Sequence, residues 1–373
     1  MSEREEQTDH QLKLIFLMTA GAISIILMVI GIYQLVEFTD STAFCGRLCH
    51  DVMYPEFTTY QASPHSRVTC SACHVGSGAD YLVRSKISGI PLIFATMTGN
   101  YEKPIPVPVR SLRPARYTCE QCHRPEVFFG DVVKVHTTFL PDENNTQKTD
   151  SRIMRVGGGE SGVARDTHWH IVARVWYIAS DEERQNIVWV GVENETGEIE
   201  TEYVYREISG EISEIPKDQE KHLMDCIDCH NRITHIFNSP EELIDTAMVQ
   251  GKIDDELPYI KRESIKALDP PSSSLDEAFV KIEAIEDFYR TDYPEIYNEK
   301  QQKIQEALDQ LREVARLTTF PYMDVTYKTY LDNINHLEAP SCMRCHGKLI
   351  ATSGERAGMA IDVSCDLCHE ILQ

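Results

Sequence analysis

Basic residues are scarce in this sequence. Its 373 residues include 36 Lys and Arg against 59 Asp and Glu, which gives a formal net charge of −23. Non-specific nucleic-acid binding depends on neutralising phosphates with Lys and Arg, and no run of six basic residues occurs here. The composition therefore excludes a general nucleic-acid-binding protein. A hydrophobic content of 42% also excludes a disordered or collagen-like chain, and the length suggests about two or three domains.

Long apolar runs are scarce too, with a single stretch of spanning length. Residues 14–36 read LIFLMTAGAISIILMVIGIYQLV, and a helix of these 23 uncharged residues is about 34 Å long, enough to cross a membrane. A cleaved signal peptide is the alternative, but its apolar region is usually only about 7–15 residues. The sequence therefore predicts a cytoplasmic tail at 1–13 and an uncleaved anchor helix at 14–37. Residues 87–97 are apolar, but the run is too short to span and contains Pro91.

The sequence has no cysteine outside a repeated motif. The 12 cysteines make six pairs, and a histidine directly follows the second cysteine of each pair. Five pairs enclose two residues: Cys70 and Cys73 before His74, Cys119 and Cys122 before His123, Cys226 and Cys229 before His230, Cys342 and Cys345 before His346, Cys365 and Cys368 before His369. The first pair, Cys45 and Cys49 before His50, encloses three.

This motif is typical of covalent c-type haem attachment. Two cysteines form thioether bonds to the porphyrin edge, and the next histidine lies under the iron as axial ligand. Structural zinc sites and disulfides are the alternatives, but neither requires a histidine directly after the second cysteine. The sequence therefore predicts six covalently bound haem c groups.

Each predicted haem also needs a second axial ligand or an open site. Outside the motifs and the N-terminal tail, seven histidines could serve: His65, His136, His168, His170, His222, His235 and His336. Seven candidates for at most six positions favours bis-histidine ligation, which suits electron transfer better than substrate binding. His168 and His170 flank Trp169 in a predicted strand, so both would project from one face. His136 is equally consistent with a ligand and with a strand surface, and His222 is the expected spare.

The exported part divides into three predicted regions. A trihaem module occupies 38–130, a β-rich insertion 131–215 and a helical trihaem module 216–373. The insertion shows alternating apolar runs at 171–179, 186–192 and 201–208, typical of a small antiparallel sheet. In the third region two helical faces are apolar: Leu275, Phe279, Ile282 and Ile285, then Ile304, Leu308, Leu311 and Ala315. The predicted fold class is a mainly α multihaem cytochrome c, with sparse secondary structure around the haems and one transmembrane helix.

The N-terminal part resembles the NapC/NirT family of membrane-anchored multihaem quinol dehydrogenases, which includes NrfH-type anchor subunits. The resemblance covers about residues 10–130. It rests on the single anchor helix and the features that follow it in order: Phe44-Cys45, Met53, the run YQASPH ending at His65, and Lys86 12 residues after His74. The remainder is similar to longer six-haem relatives, through CIDCHNR at 226–232 and MRCH at 343–346.

The resemblance implies that the first haem receives electrons from menaquinol, with Lys86 beside the quinone pocket. It also implies Met53 as an axial ligand of that haem, although the three-residue spacer leaves His50 and Met53 open as alternatives. His65 would ligate the haem of the third motif, and His235 that of the second. Some family members place an acid about two turns after the lysine. Here that stretch reads IPLIF at 90–94, so the sequence shows no proton acceptor.

The sequence thus predicts a membrane-anchored hexahaem cytochrome that passes electrons from the quinone pool to a periplasmic reductase or cytochrome. Haem is attached to c-type cytochromes outside the cytoplasmic membrane. We therefore expect the haem region to lie in the periplasm. The acidic charge favours a partner with a basic docking patch. The alternatives are a relay subunit of a larger complex without its own quinol site and a multihaem reductase of nitrogen or sulfur oxyanions, which would need an open haem. A homo-oligomer is also compatible with the sequence.

Overall fold

The computed structural model describes residues 3–48, 50–76, 78–109, 112–124, 127, 130–159, 165–206, 219–334, 336 and 339–372, with the side chains of 3–6 and 50 left out. Helices and strands alternate with long irregular connections around the cysteine motifs. Eleven α-helices are described: α1 (Glu3–Asp40), α2 (His50–Ala62), α3 (Cys70–His74), α4 (Ala79–Thr98), α5 (Trp169–Val172), α6 (Cys226–Cys229), α7 (Pro240–Val249), α8 (Ile260–Leu268), α9 (Leu275–Asp292), α10 (Pro294–Glu299) and α11 (Gln301–Thr318).

The first helix, α1, is the anchor that the apolar run predicts. Its segment Gln7–Asp40 is, within the described part of the chain, the one helix long and apolar enough to cross a membrane. The described apolar side chains along it are largely exposed to the surroundings, as a lipid-facing helix requires. The helix is longer than the predicted 14–37, because the polar tail continues it back to Glu3.

The helix α4 follows the second cysteine motif and runs through Pro91 without interruption. None of its 20 residues is buried. It ends at Gly99, whose left-handed backbone (φ 68°) is the conformation that terminates many helices and that glycine adopts at little cost. The chain therefore carries a second exposed apolar helix next to the anchor.

Eight strands form two antiparallel sheets. They are β1 (Val132–Phe139), β2 (Gln147–Met154), β3 (Val175–Ala179), β4 (Ile187–Glu193), β5 (Ile199–Tyr205), β6 (His222–Leu223), β7 (Leu349–Ala351) and β8 (His369–Leu372). The orders are β1-β2-β8 and β6-β3-β4-β5-β7. The predicted antiparallel sheet is confirmed at β3, β4 and β5, but later segments complete both sheets. In particular, β7 and β8 directly follow the last two cysteine motifs.

The largest side-chain core lies in the helical unit α7 to α11, which contains no cysteine. Both predicted apolar faces pack into it, with Ile282 and Ile304 fully buried. A smaller cluster joins α2 to the chain after α11, where Val52 packs with Phe237 and Phe320. The segments around the motifs contribute few buried side chains by comparison. This contrast is the sparse structure that the sequence predicts for cofactor-binding segments.

Candidate functional site

Each of the five C-x-x-C-H motifs forms one tight helical turn. The amides of His123 and His230 each donate to the carbonyl of the first cysteine of their motif at 2.8 Å, and that of His346 does so at 3.0 Å. Such a turn brings the cysteines and the histidine onto one side of the backbone. The first motif differs: Cys45 lies in a π-helical turn (Phe44–Leu48), whereas Cys49 and the His50 side chain lie outside the described residues.

Four of the motif histidines face a histidine from elsewhere in the chain. The ring centres are separated by 6.0 Å for His65 and His123, 6.4 Å for His74 and His235, 6.0 Å for His170 and His346, and 6.2 Å for His336 and His369. A metal between two imidazoles lies about 2.1 Å from each nitrogen, so the ring centres of such a pair are about 6 to 6.5 Å apart. The four pairs therefore match bis-histidine coordination of one metal each.

A fifth distal candidate, His168, lies near the motif histidine His230. Burial lowers the pKa of His230, and the nearby positive charge of a protonated His168 lowers it further. His168 is the Ncap residue of the short helix α5, and His170 lies within that helix. The predicted strand at Trp169 is therefore wrong. The helical turn instead directs the two histidines to different partners, His230 and His346.

Hydrogen bonds fix which nitrogen several of these rings present. Nδ1 of His235 lies 2.9 Å from the Glu56 carbonyl, and Nδ1 of His170 lies 2.9 Å from the Thr167 carbonyl. When Nδ1 donates to a carbonyl, Nε2 keeps its lone pair for a metal. Burial also lowers the pKa of His235 to about 4, so at neutral pH the ring is in its ligating form.

Disulfide bonds and zinc sites, the two alternative roles of these cysteines, find no support in the described residues. All eleven cysteines there are free of disulfide bonds. No group of three or more His, Cys, Asp or Glu side chains in that part of the chain is placed to hold a bare metal ion. The chemistry of two thiols beside a facing histidine pair fits haem c rather than zinc.

Contacts join the first three motifs in chain order. The Cys45 and Cys70 side chains are hydrogen-bonded, which lowers the pKa of Cys70 to about 6. Arg113, shortly before the third motif, lies 3.6 Å from the ring centre of Tyr81 in α4. Its guanidinium also occupies the space beside Gly76 (φ 70°), where an added Cβ would come within 2.6 Å of it. Gly76 therefore allows the second and third motifs to approach closely.

Contacts also join the third to the sixth motif. The Ala115 amide donates to the Asp225 carboxylate at 3.0 Å, and Asp225 caps the helix α6 that contains the fourth motif. Arg344, within the fifth motif, donates to the Asp228 carbonyl within the fourth. The sixth motif follows Asp362, whose carbonyl is hydrogen-bonded to Nδ1 of His346. The six motifs therefore form a continuous series in sequence order.

Two candidate histidines stay apart from the motif histidines. His136 lies on β1 with 60% of its side chain exposed, and its Nδ1 is 3.9 Å from the Asp150 carboxylate. His222 lies on β6, with its ring centre 5.4 Å from that of Tyr177. The structure thus gives no support for His136 as a ligand, and that His222 is the spare histidine stays a prediction. Met53 lies half-buried in α2, directly after the first motif.

Lys86 meets the end of the anchor helix. Its Nζ lies 2.8 Å from Thr39 Oγ1 and forms a salt bridge with the Asp40 carboxylate. Both charged side chains are partly buried. Asp40 is not predictable from the residues around Lys86, because the two residues are 46 positions apart and the expected acid would follow Lys86 on the same helix.

A family model for the N-terminal region of the NapC/NirT cytochrome c family matches residues 7–106. The chain is also 41% identical over 360 residues to the cytochrome c-type protein ImcH of Geobacter sulfurreducens, covering 96% of this chain and 70% of that protein. The chain belongs to the NapC/NirT cytochrome c family. The predicted resemblance is thereby confirmed, and with it a multihaem c-type cytochrome with covalently bound haem c. No solved structure matches the chain significantly.

In this NapC/NirT cytochrome, Arg232 and Glu56 hold the candidate ligand His235 in position. Neither residue was predicted from the sequence. Arg232 forms a buried ion pair with Glu56 at 3.1 Å and donates through Nε to the His235 carbonyl at 2.9 Å. The Glu56 carbonyl in turn holds His235 Nδ1. Arg232 ends the signature CIDCHNR and could have been found there. Glu56 carries no local signal, because it acts from α2 on a residue 179 positions later.

Proposed function

We propose that this cytochrome carries six covalent haem c groups and transfers electrons from menaquinol to a periplasmic redox partner. The observation that carries the proposal is the pairing of motif histidines with distal histidines at 6.0–6.4 Å. When bound, each haem iron supplies reversible one-electron transfer. Saturating both axial positions of most irons leaves those sites without room for substrate, which favours transfer over reduction of an oxyanion.

The ligand assignment follows the pairs. His74 and His235 would hold the second haem, His65 and His123 the third, His168 and His230 the fourth, His170 and His346 the fifth, His336 and His369 the sixth. At the first haem, His50 and Met53 remain the two candidates. At these sites the chain would supply neutral imidazoles in fixed orientations. The Glu56 carbonyl, for example, orients the His235 ring through a hydrogen bond to Nδ1.

The membrane anchor and the motif series give the proposal a direction. The first motif begins five residues after Asp40, the last residue of α1, so the first haem site lies next to the membrane. The contacts between successive motifs extend from there to the C-terminal strand β8. Electrons from a membrane quinol would enter at the first motif and leave toward the sixth on the periplasmic side. A net charge of −23 would favour a partner with a basic docking surface.

The test is quinol oxidation by the full-length protein in proteoliposomes. We expect a menaquinol analogue to reduce the haems, followed by their absorbance change, and dithionite to complete the reduction. Reduction by dithionite but not by the quinol would contradict a quinol dehydrogenase and favour the relay subunit. A persistent high-spin ferric signal with turnover of nitrite would favour the reductase instead.

A further inference from the structure

We infer that Asp40 is the proton acceptor of the quinol site and that Lys86 holds it in place at the membrane boundary. This inference rests on the proposed quinol oxidation. It assigns a catalytic role to a residue of the anchor helix. It also supplies the acid that α4 lacks, since no Asp or Glu follows Lys86 in that helix.

The contacts of Lys86 with α1 form a defined polar site. Lys86 Nζ contacts both the Asp40 carboxylate and Thr39 Oγ1, so one ammonium joins two neighbouring residues of α1 to α4. The side chains of Lys86 and Asp40 are 33% and 24% exposed, which leaves room for a ligand to reach them. Asp40 stands at the negative end of the helix dipole, where a carboxylate is unfavourable without a cation beside it. Lys86 supplies that cation.

The pair lies where a membrane quinol can reach it. Asp40 is four residues past the apolar run that ends at Val36, about 6 Å along the helix, which places it at the edge of the hydrocarbon core. On both sides of Lys86, α4 exposes apolar side chains at helical spacing: Val83, Ile87, Ile90, Phe94 and Met97. An exposed apolar stripe beside an anchor helix suits contact with lipid chains. The same surface would accommodate the isoprenoid tail of a quinol whose headgroup reaches Asp40.

The pair also lies beside the first two cofactor sites. Thr42, two residues after Asp40, is hydrogen-bonded to Cys70 of the second motif, and so is Cys45 of the first. A headgroup at Asp40 would therefore be close to two electron acceptors.

The chemistry balances with the haems of the proposed function as oxidant. Oxidation of the quinol breaks its two O–H bonds and converts two C–O bonds to C=O. The two electrons would be accepted, one at a time, by the oxidised c-type haems that the first two motifs are proposed to hold. The Asp40 carboxylate accepts the first proton and releases it to the periplasmic water. The second hydroxyl, on the opposite side of the ring, would lose its proton directly to the periplasmic water, while Lys86 and Thr39 orient the hydroxyl beside Asp40.

The experiment compares full-length variants in proteoliposomes with a menaquinol analogue. Asp40→Asn keeps the size of the side chain and removes the base, so we expect turnover to fall by about 10²-fold or more. Its pH–rate profile should also lose the acidic limb of the wild type. Asp40→Glu should restore part of the rate. The matched control is Glu37→Gln, an exposed acid one turn earlier on the same helix, which should leave turnover and the pH profile unchanged.

Two measurements keep the result interpretable. Haem content and the dithionite-reduced spectrum show whether Asp40→Asn is assembled correctly. Infrared difference spectra after quinol addition should show a protonated carboxyl band that Asp40→Asn lacks. If wild type is reduced by the quinol and Asp40→Asn matches its rate, pH profile and infrared band, the inference is overturned while the proposed function stands. If the quinol fails to reduce even wild type, the proposed function itself is wrong.

Discussion

Backbone carbonyls orient two of the distal histidines, His235 through Glu56 and His170 through Thr167. His235 illustrates this best, because Glu56 and Arg232 fix it from two sides and it faces His74 at 6.4 Å. A histidine held so firmly contributes both a ligand and a fixed ring plane. Changes at such a residue should therefore alter a haem's potential before they alter the fold.

We expect His235→Met to raise the midpoint potential of one haem by on the order of 0.1 V, because thioether ligation stabilises ferrous iron relative to bis-histidine ligation. A spectroscopic redox titration measures this shift. His222→Met is the matched control, since His222 lies beside Tyr177 rather than beside a motif histidine. Identical titration curves for the two variants would contradict the pairing of His235 with His74.

The sequence predicts those site residues that lie close together along the chain. The cysteines and proximal histidines follow from the motif alone, whereas the distal partners depend on contacts across as many as 176 positions, as between His170 and His346. The family resemblance anticipates two of these pairs, those of His65 and His235. Asp40 was not predicted because its contact with Lys86 is also distant in sequence. Nothing near Asp40 in the sequence indicates that α4 brings Lys86 to it.

Among the elements, α4 differs from the other long helices that follow the anchor. The helices α9 and α11 bury one face in a core, whereas α4 buries no residue. The sequence showed an apolar stretch interrupted by Pro91 but not that one helix would continue through it. The antiparallel sheet was predictable from alternation in β3 to β5. Its closing strands β6 and β7 are too short to show a period.

We expect α4 to contact the membrane in the intact protein. A photoactivatable apolar diazirine dissolved in the bilayer should label peptides from α4 as well as from α1, because both expose apolar side chains to lipid. Peptides from α9 provide the internal control and should stay unlabelled. Label confined to α1 would place α4 in water and would weaken the route proposed for the quinol.

The helical unit should depend on one buried ion pair. Lys261 is fully buried, and its Nζ lies 2.6 Å from Asp245, which also accepts from the Phe139 amide at the end of β1. Lys261→Met leaves that carboxylate buried without its cation, which costs about 3–5 kcal/mol of unfolding free energy. Chemical denaturation followed by circular dichroism measures the loss. Lys303→Met, which removes an exposed pair with Glu306, should change stability by less than about 0.5 kcal/mol.

At the scale of the whole molecule, sequence order and spatial order of the motifs coincide. Contacts of residues in or beside the motifs connect each motif to the next, and helical and β units fill the intervals between them. The length of 373 residues suggested ordinary domains, but the histidine pairs cross the predicted boundaries: His235 from 216–373 faces His74 in 38–130, and His168 from 131–215 lies beside His230.

The central claim is that every cysteine pair holds a haem, the three-residue spacer of the first included. The intact mass of the purified protein tests it most directly. We expect the polypeptide mass plus six haem groups, and digestion should place one haem on the peptide that contains Cys45 and Cys49. A mass corresponding to five haems, with that peptide unmodified, would contradict it and would remove the entry point of the proposed electron path.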